Sequence, residues 1–269
     1  DCTTADTSIA AGEEFLLSQK IEGHNLQTIA KGTADAKQMV LSWYAKGTPK
    51  TYGMELYDND NSGRHFSNTW TVTSNWQRFT QVIPADTTGT FDDDNGLSLY
   101  VLFWFHAGST YSSGSSASSW SSLTNANRAA GVGSIFSSTS NELYITGVQL
   151  EVGSVATEYQ HLSIGEELTL CQRYFYVPVN GTAQAFGMGT YYASNLITMV
   201  LDFPTTMRAA PAVTAANGTN YFVAYTSGTG DAFNTWDNIQ RGCPNYIALD
   251  VTGDGANATA GDGCALSTN

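Results

Sequence analysis

The chain has 269 residues, of which 42% are hydrophobic and 12% aromatic while only 13% are charged. That is too much apolar material for a disordered chain, and enough for one large or two ordinary packed domains. Eleven Lys and Arg against 24 Asp and Glu leave a net charge of -13, which excludes a phosphate-tracking nucleic-acid surface and disfavours docking on anionic lipid.

Taken in chain order, the first half is dominated by period-two alternation. Phe15, Leu17, Gln19 and Ile21 share one face of a first strand. "KQMVLSWYAK" sets Met39, Leu41 and Trp43 on one side and Gln38, Val40, Ser42 and Tyr44 on the other. "YGMELYD" and "RHFSNTW" flank "NDNSG", which reads as a hairpin turn. "WQRFTQVIP", "LSLYVLFWF" and "ELYITGVQLEV" complete the set. This many short strands divided by Gly, Asn and Ser turns predict an antiparallel sandwich. The longest apolar run, Leu97 to Phe105, is strand-sized, so no membrane insertion is expected. The chain opens on Asp1 with no signal peptide in view, as a fragment or processed product does.

Between the last two of these strands lies "GSTYSSGSSASSWSSLTNANRAAGVGS", a serine-rich stretch read as a long surface loop. Trp120 stands inside it, where a polar loop has no ordinary need of a large ring. Leu143 to Val152 reads as the final strand of the sandwich, with Ile145, Val148 and Leu150 turned inward. That uneven spacing asks for a bulge at Gly147. "GSVAT" then leaves the sheet, and "SIGEELTLCQRYF" holds a short helical turn in which Ser163 precedes Glu166 at capping-box spacing. A second set of strands follows: "CQRYFYV", "NLITMVLDF", "PAVTAA", "NYFVAYT" and "NYIALDV". Pro204 and Pro211 bracket "TTMRAA", marking it as a strand-ending bend. The expected organisation is therefore a first β-domain over 1–160, a hinge over 161–171 and a smaller β-domain over 172–269.

Catalytic patterns are weak. A glycosidase sets two carboxylates across a sugar, and Glu13, Glu14, Glu22, Glu55, Glu151, Glu158, Glu166 and Glu167 are scattered with no cleft to gather them. His24, His65, His106 and His161 share no metal-ligand spacing, and neither a GxSxG motif nor a P-loop is present. "DNDNSG" starts like a calcium loop, but Thr69 stands where the bidentate acid belongs. "DDDNG" at 92–96 reads as a solvated loop. Sequons at Asn180, Asn217 and Asn257 are what an Asn- and Thr-rich chain shows by chance. The four cysteines fit no zinc pattern. Cys243 and Cys264 remain candidates to pair, and Cys171 reads as a small buried residue.

The strongest functional signal is aromatic. Along 97–105, Leu97, Leu99, Val101, Phe103 and Phe105 make one apolar face, while Ser98, Tyr100, Leu102 and Trp104, continuing to His106, make the other. A face that mixes rings with polar groups suits a glycan platform, and it equally suits packing against another subunit. Tyr44 is placed to extend this face and Trp120 to fold over it. Trp43, Trp70 and Trp76 are assigned to the core or its rim.

"ITGVQLEVGSVATEYQ" with "GEELTLCQRYFYV" resembles a region widespread in structural proteins of tailed bacteriophages, tail fibres and related appendages above all. "LLSQKIEGHNL", "GTADAKQMVLSWYAKG", "NWQRFTQVIPADTTGTFDDDNGLSLYVLF" and "DFPTTMRAAPAVT" agree in the same order, so the resemblance covers most of the chain. It implies an all-β protein: a jelly-roll β-sandwich like a carbohydrate-binding module, then a smaller β-sandwich-like domain. The strand expected after the Gly-rich turn near the end is missing from this reading, which leaves the second domain short. Jelly-roll modules hold structural calcium through carboxylates, and Glu22 or Glu151 are the candidates here. The implied protein is a non-enzymatic, trimeric virion component that contacts other virion proteins and attaches to host-surface polysaccharide. Two rivals remain: a capsid-surface fibre or decoration protein with a purely architectural role, and a carbohydrate-binding module of a secreted hydrolase.

Overall fold

A computed structural model describes residues 1–214, 218–252 and 258–269, with the backbone alone considered at 238–240. The chain forms two compact units, Asp1–Gln160 and His161–Asn269. Both are built from antiparallel sheets, and the fold is all-β, a jelly-roll β-sandwich followed by a smaller β unit.

In the first unit the strands are β1 (Glu14–Glu22), β2 (Met39–Gly47), β3 (Lys50–Asp58), β4 (Arg64–Val72), β5 (Gln77–Ile83), β6 (Leu97–Ala107), the two-residue β7 (Ser121–Ser122) and β8 (Leu143–Val152), with one helical turn α1 (Ser109–Ser112) after β6. A five-stranded sheet runs β1-β6-β3-β4-β7 and faces a three-stranded sheet β5-β2-β8. Alternation dictates which residues lie between them. Met39, Leu41 and Trp43 of β2 meet Met54 and Leu56 of β3 and Leu99, Val101, Phe103 and Phe105 of β6 in one core. Trp43 is its centre, with ring centroids 5.4 Å from Trp70, 5.6 Å from Phe79 and 5.2 Å from Phe103. Fully burying a side chain of this kind contributes about 1.5–3 kcal/mol, so the alternation that aligns them also supplies much of the unit's stability.

Two departures from the expected pattern have simple causes. Phe15 and Leu17 lie on the core side of β1 yet remain about half exposed. Five strands facing three leave the edge strand β1 overhanging, with little opposite it to bury against. In β8, Ser42 pairs with Gln149 and Tyr44 with Thr146, so Trp43 is opposed by both Gly147 and Val148. This is the expected bulge. It lets Ile145 and Leu150, five residues apart, both pack on the core, but it turns Val148 outward, where it is exposed. Gly147 has φ +59, a conformation that disfavours any residue with a Cβ.

The second unit begins with α2 (Ile164–Gln172), a longer helix than a single turn, closed at its start by the Ser163–Glu166 capping box. Its strands are β9 (Ala185–Ala193), β10 (Leu196–Asp202), β11 (Phe222–Thr226), β12 (Thr229–Phe233), β13 (Asn238–Gly242), β14 (Tyr246–Thr252) and β15 (Gly263–Thr268). They join in one continuous antiparallel sheet ordered β12-β11-β15-β9-β10-β14-β13. One face carries its core, including Tyr191, Ile197, Met199, Phe222, Phe233 and Leu249.

Several expectations need correction here. "CQRYFYV" is the end of α2 followed by a turn, because the capped helix runs through Gln172. Residues 211–214 are irregular rather than a strand, while "TTMRAA" is the bend expected of it. The strand missing from the sequence reading is present as β15, hidden by its short, small-residue composition. All four cysteines are free, and Cys171 is exposed on α2 rather than buried. Cys243 follows β13 while Cys264 sits on β15, four strands away. That is about 19 Å along the sheet, beyond disulfide reach. The sequons at Asn217 and Asn257 lie outside the described residues.

Candidate functional site

The expected platform on β6 is covered. On the outer face of the five-stranded sheet, registers align Tyr100 with Tyr57 and His65, Leu102 with Glu55 and Ser67, and Trp104 with Gly53 and Thr69. The serine-rich segment folds across these rows instead of standing away as a free loop. Ala117 accepts from the Ser67 amide, Gly63 from Leu123, Thr51 from Gly133 and Tyr111 from Ala129, all through backbone carbonyls. Beneath it Trp104 is fully buried, its indole donating to Glu55 at 3.0 Å. Glu55 is also fully buried, and it takes further hydrogen bonds from Arg128 at 3.0 and 3.1 Å and pairs with His65 Nδ1 at 3.0 Å. The Arg128 guanidinium stacks 5.0 Å from the Trp104 ring and 5.4 Å from Tyr57. A carboxylate this deep is stable only with such partners. The arrangement is a structural clamp.

Trp120 has a comparable task. Lys31, also buried, places its ammonium 2.5 Å from Asp58 and 3.2 Å from Asp86, with the carbonyls of Thr88 and Gly89 at 2.9 and 2.8 Å. Arg64 adds a two-pronged contact to Asp86 at 2.8 and 2.9 Å. The Trp120 ring caps this cluster 5.3 Å from Lys31, held by its indole donating to the Pro84 carbonyl. Burial alone would raise the Asp86 pKa, but the hydrogen bonds from Arg64, the Thr88 amide and Lys31 together with the Lys31 charge hold it below the usual carboxylate range. Asp58, the first acid of "DNDNSG", thus serves an ion pair and the turn amides of Asp60 and Asn61.

The sequence-derived candidates therefore separate. Trp104 and His106 are buried, and His106 is held by Ser134 at 2.7 Å. Tyr100 and Trp120 are half-buried in the packing just described. Tyr44 belongs to the other sheet and so cannot extend the β6 face. Glu22 on β1 and Glu151 on β8 also lie in different sheets. Among the described residues no group of three His, Cys, Asp or Glu side chains is placed to hold a metal ion. Glu151 is instead hydrogen-bonded by Thr157, which with Gln149 lowers its pKa.

The open aromatic surface lies on the other side of the sandwich, on the solvent face of β5-β2-β8. Registers set four rows there: Val82–Val40–Glu151, Thr80–Ser42–Gln149, Arg78–Tyr44–Thr146, and last Lys46 with Tyr144. Trp76 joins the last row because its neighbour Gln77 pairs with Ala45. At the Glu151 end, residues 157–160 fold back over the face, with the Thr157 carbonyl taking a hydrogen bond from Arg78 and the Gln160 amide donating to Gln149. The other end is open. Trp76 is 49% exposed and Tyr144 42%, and the Lys46 ammonium sits between them, 5.5 Å from one ring and 5.0 Å from the other. Tyr144 donates to Glu142 at 3.1 Å, and that hydrogen bond with the Glu142 charge raises the phenol pKa. Sequence reading placed Trp76 at the rim. The missed signal was that Trp76, Lys46 and Tyr144 fall in one cross-strand row, which only the register reveals.

No protein-family model and no curated protein matches the chain. Solved structures do match, among them one described as "CBM4 structure and function", with 15% identity, a TM-score of 0.25, and coverage of 52% of this chain and 61% of that one. The chain thus spans less than two thirds of that structure's length.

Proposed function

We propose that the chain is a non-catalytic glycan-recognition protein acting as part of a tail fibre or related virion appendage of a tailed bacteriophage. The observation that carries the glycan reading is the open Trp76–Lys46–Tyr144 row. A pyranose offers an apolar C–H face to such rings and hydroxyls to Lys46 and Glu142. The absence of catalysis is supported by the state of the buried acids: Glu55, Asp58 and Asp86 are tied to Arg128, Lys31 and Arg64 rather than opposed across a cleft. The appendage reading is supported by the ordered segments resembling phage fibre proteins. Many copies acting together turn one weak sugar contact into firm attachment.

The test is the double variant Trp76→Ala, Tyr144→Ala. Both side chains are about half exposed, so the pair together should cost about 1.5–3 kcal/mol, while adsorption to host cells and to their extracted polysaccharide falls about tenfold or more. Adsorption unchanged in the double variant overturns the reading.

A second, architectural reading is favoured by α2. Ile164 is 86% exposed, and Leu168 and Leu170 are more than half exposed. Apolar residues left open on a helix suit packing against further copies or another virion protein, including the trimer expected of a fibre. Solution mass by light scattering separates the two. A trimer dispersed by Ile164→Asp, with adsorption indifferent to Trp76, favours architecture.

A further inference from the structure

The seven-stranded sheet turns Ile197, Met199, Ile247, Leu249 and Val251 into its core, so the even-numbered residues of β10 and β14 face the opposite way. On that outer face lies a groove of about 580 Å³, within the size range of ligand sites. Its course follows from the registers. Tyr246 pairs with Asp202 at one end of β10, and Tyr192 lies beside Leu196 at the other. Six residue steps along β10 make the groove about 20 Å long, with an exposed tyrosine at each end.

Asp250 lines the groove between them, paired with Thr198. It is only 4% exposed, and its Oδ1 has no hydrogen-bond partner among the described residues. A buried acceptor left without a donor destabilises a fold and is rare unless something else supplies the donor. Arg241, paired with Ala248, adds guanidinium donors on the same face.

We propose that this groove is a binding site for a linear, uncharged oligosaccharide. The orphan Asp250 oxygen accepts from a sugar hydroxyl at mid-groove, Tyr192 and Tyr246 stack on sugar faces at the two ends, and Arg241 and the Thr198 hydroxyl bond the flanking oxygens. Length along one strand selects a linear chain. Asp202 and Asp250 against Arg241, on a chain of net charge -13, select against acidic sugars. The site shares no residue with the Trp76 row, so either can fail without the other.

The test is an array of neutral linear oligosaccharides in gluco, manno, galacto and xylo configurations, with uronic-acid and sialic-acid glycans as controls. It is read with the whole chain as Trp76→Ala/Tyr144→Ala and with the same chain further carrying Asp250→Ala or Tyr192→Ala. The expected result is retained binding of some neutral glycans in the double variant, weakened about tenfold or more by either added change. Asp250→Ala should at the same time raise the melting temperature, because it removes an unsatisfied buried acceptor; a merely structural aspartate would lower it. The proposal is overturned by no binding of neutral glycans in the Trp76→Ala/Tyr144→Ala background, by binding indifferent to Asp250→Ala, or by a preference for the acidic controls. It is equally overturned if Tyr192→Ala lowers the solution mass, which would make the groove a contact between copies.

Discussion

Arg128 and Glu55 meet across the join between the serine-rich segment and the five-stranded sheet, with Arg128 Nε 3.0 Å from one carboxylate oxygen and 3.1 Å from the other. Glu55 has no exposed surface, so the segment is moored by a charge that water cannot screen. The same residues hide Trp104, which explains why a face that looks like a platform in sequence is closed.

Arg128→Ala should therefore cost about 3 kcal/mol, the typical effect of leaving a buried charge without its partner. Arg128→Lys should not restore it, since an ammonium lacks the flat surface that stacks on Trp104 and Tyr57. Denaturant unfolding of the two variants, compared with the parent, measures both. A loss below about 0.5 kcal/mol, the range of ordinary surface substitutions, would mean that the segment is held by its backbone hydrogen bonds alone.

The Lys31 cluster makes stability depend on acid in a defined direction. The Asp86 pKa is lower folded than unfolded, so folding favours its charged form. Its contribution is complete above the unfolded value near about 3.9 and is lost as pH falls through the lower folded value. The gap in melting temperature between the parent and Asp86→Asn should be constant near neutrality and shrink below about pH 4. A gap that widens in acid would contradict this.

Gly147→Val should destabilise the first unit by about 1–2 kcal/mol or more. At φ +59 an added Cβ would stand 3.0 Å from the Tyr44 ring, so strain and a clash act together. The bulge also sets which residues of β8 face inward, so this variant tests register. Fluorescence of the buried Trp43 on unfolding reports it.

Thiol labelling should resolve the cysteines into classes. Cys171 is exposed and should react first, Cys243 is half-buried and should follow, and Cys2 and Cys264 should react only on unfolding. For Cys264 burial raises the thiol pKa as well, which keeps the reactive thiolate scarce. A protein of unchanged mobility with and without reductant would agree with four free thiols.

Much of the first unit could be read before the structure, because alternation carries strand identity and the inward set together. The Gly147 bulge was legible for the same reason: Ile145 and Leu150 cannot share a face without it. The site was much less legible. Trp104 and Trp76 are both aromatic residues in or beside strands, and nothing local says that a segment two dozen residues long covers the first and leaves the second open. Burial by a distant loop and alignment across strands are properties of pairing, which period-two patterns do not encode. β15 failed for another reason. "GCALST" is short and poor in β-branched and aromatic residues, and its neighbours β11 and β9, rather than its own propensity, make it a strand.

That position of β15 has a consequence for synthesis. It lies between β11 and β9, and among the described residues no other strand joins β12-β11 to β9-β10-β14-β13. While the chain is being made, these two parts can exist only as separate, open-edged ribbons until Thr268 has left the ribosome. The cell must therefore hold a half-zipped sheet with bare edges until β15 has emerged, and a product stalled before Gly263 is the form most exposed to wrong pairing with its siblings.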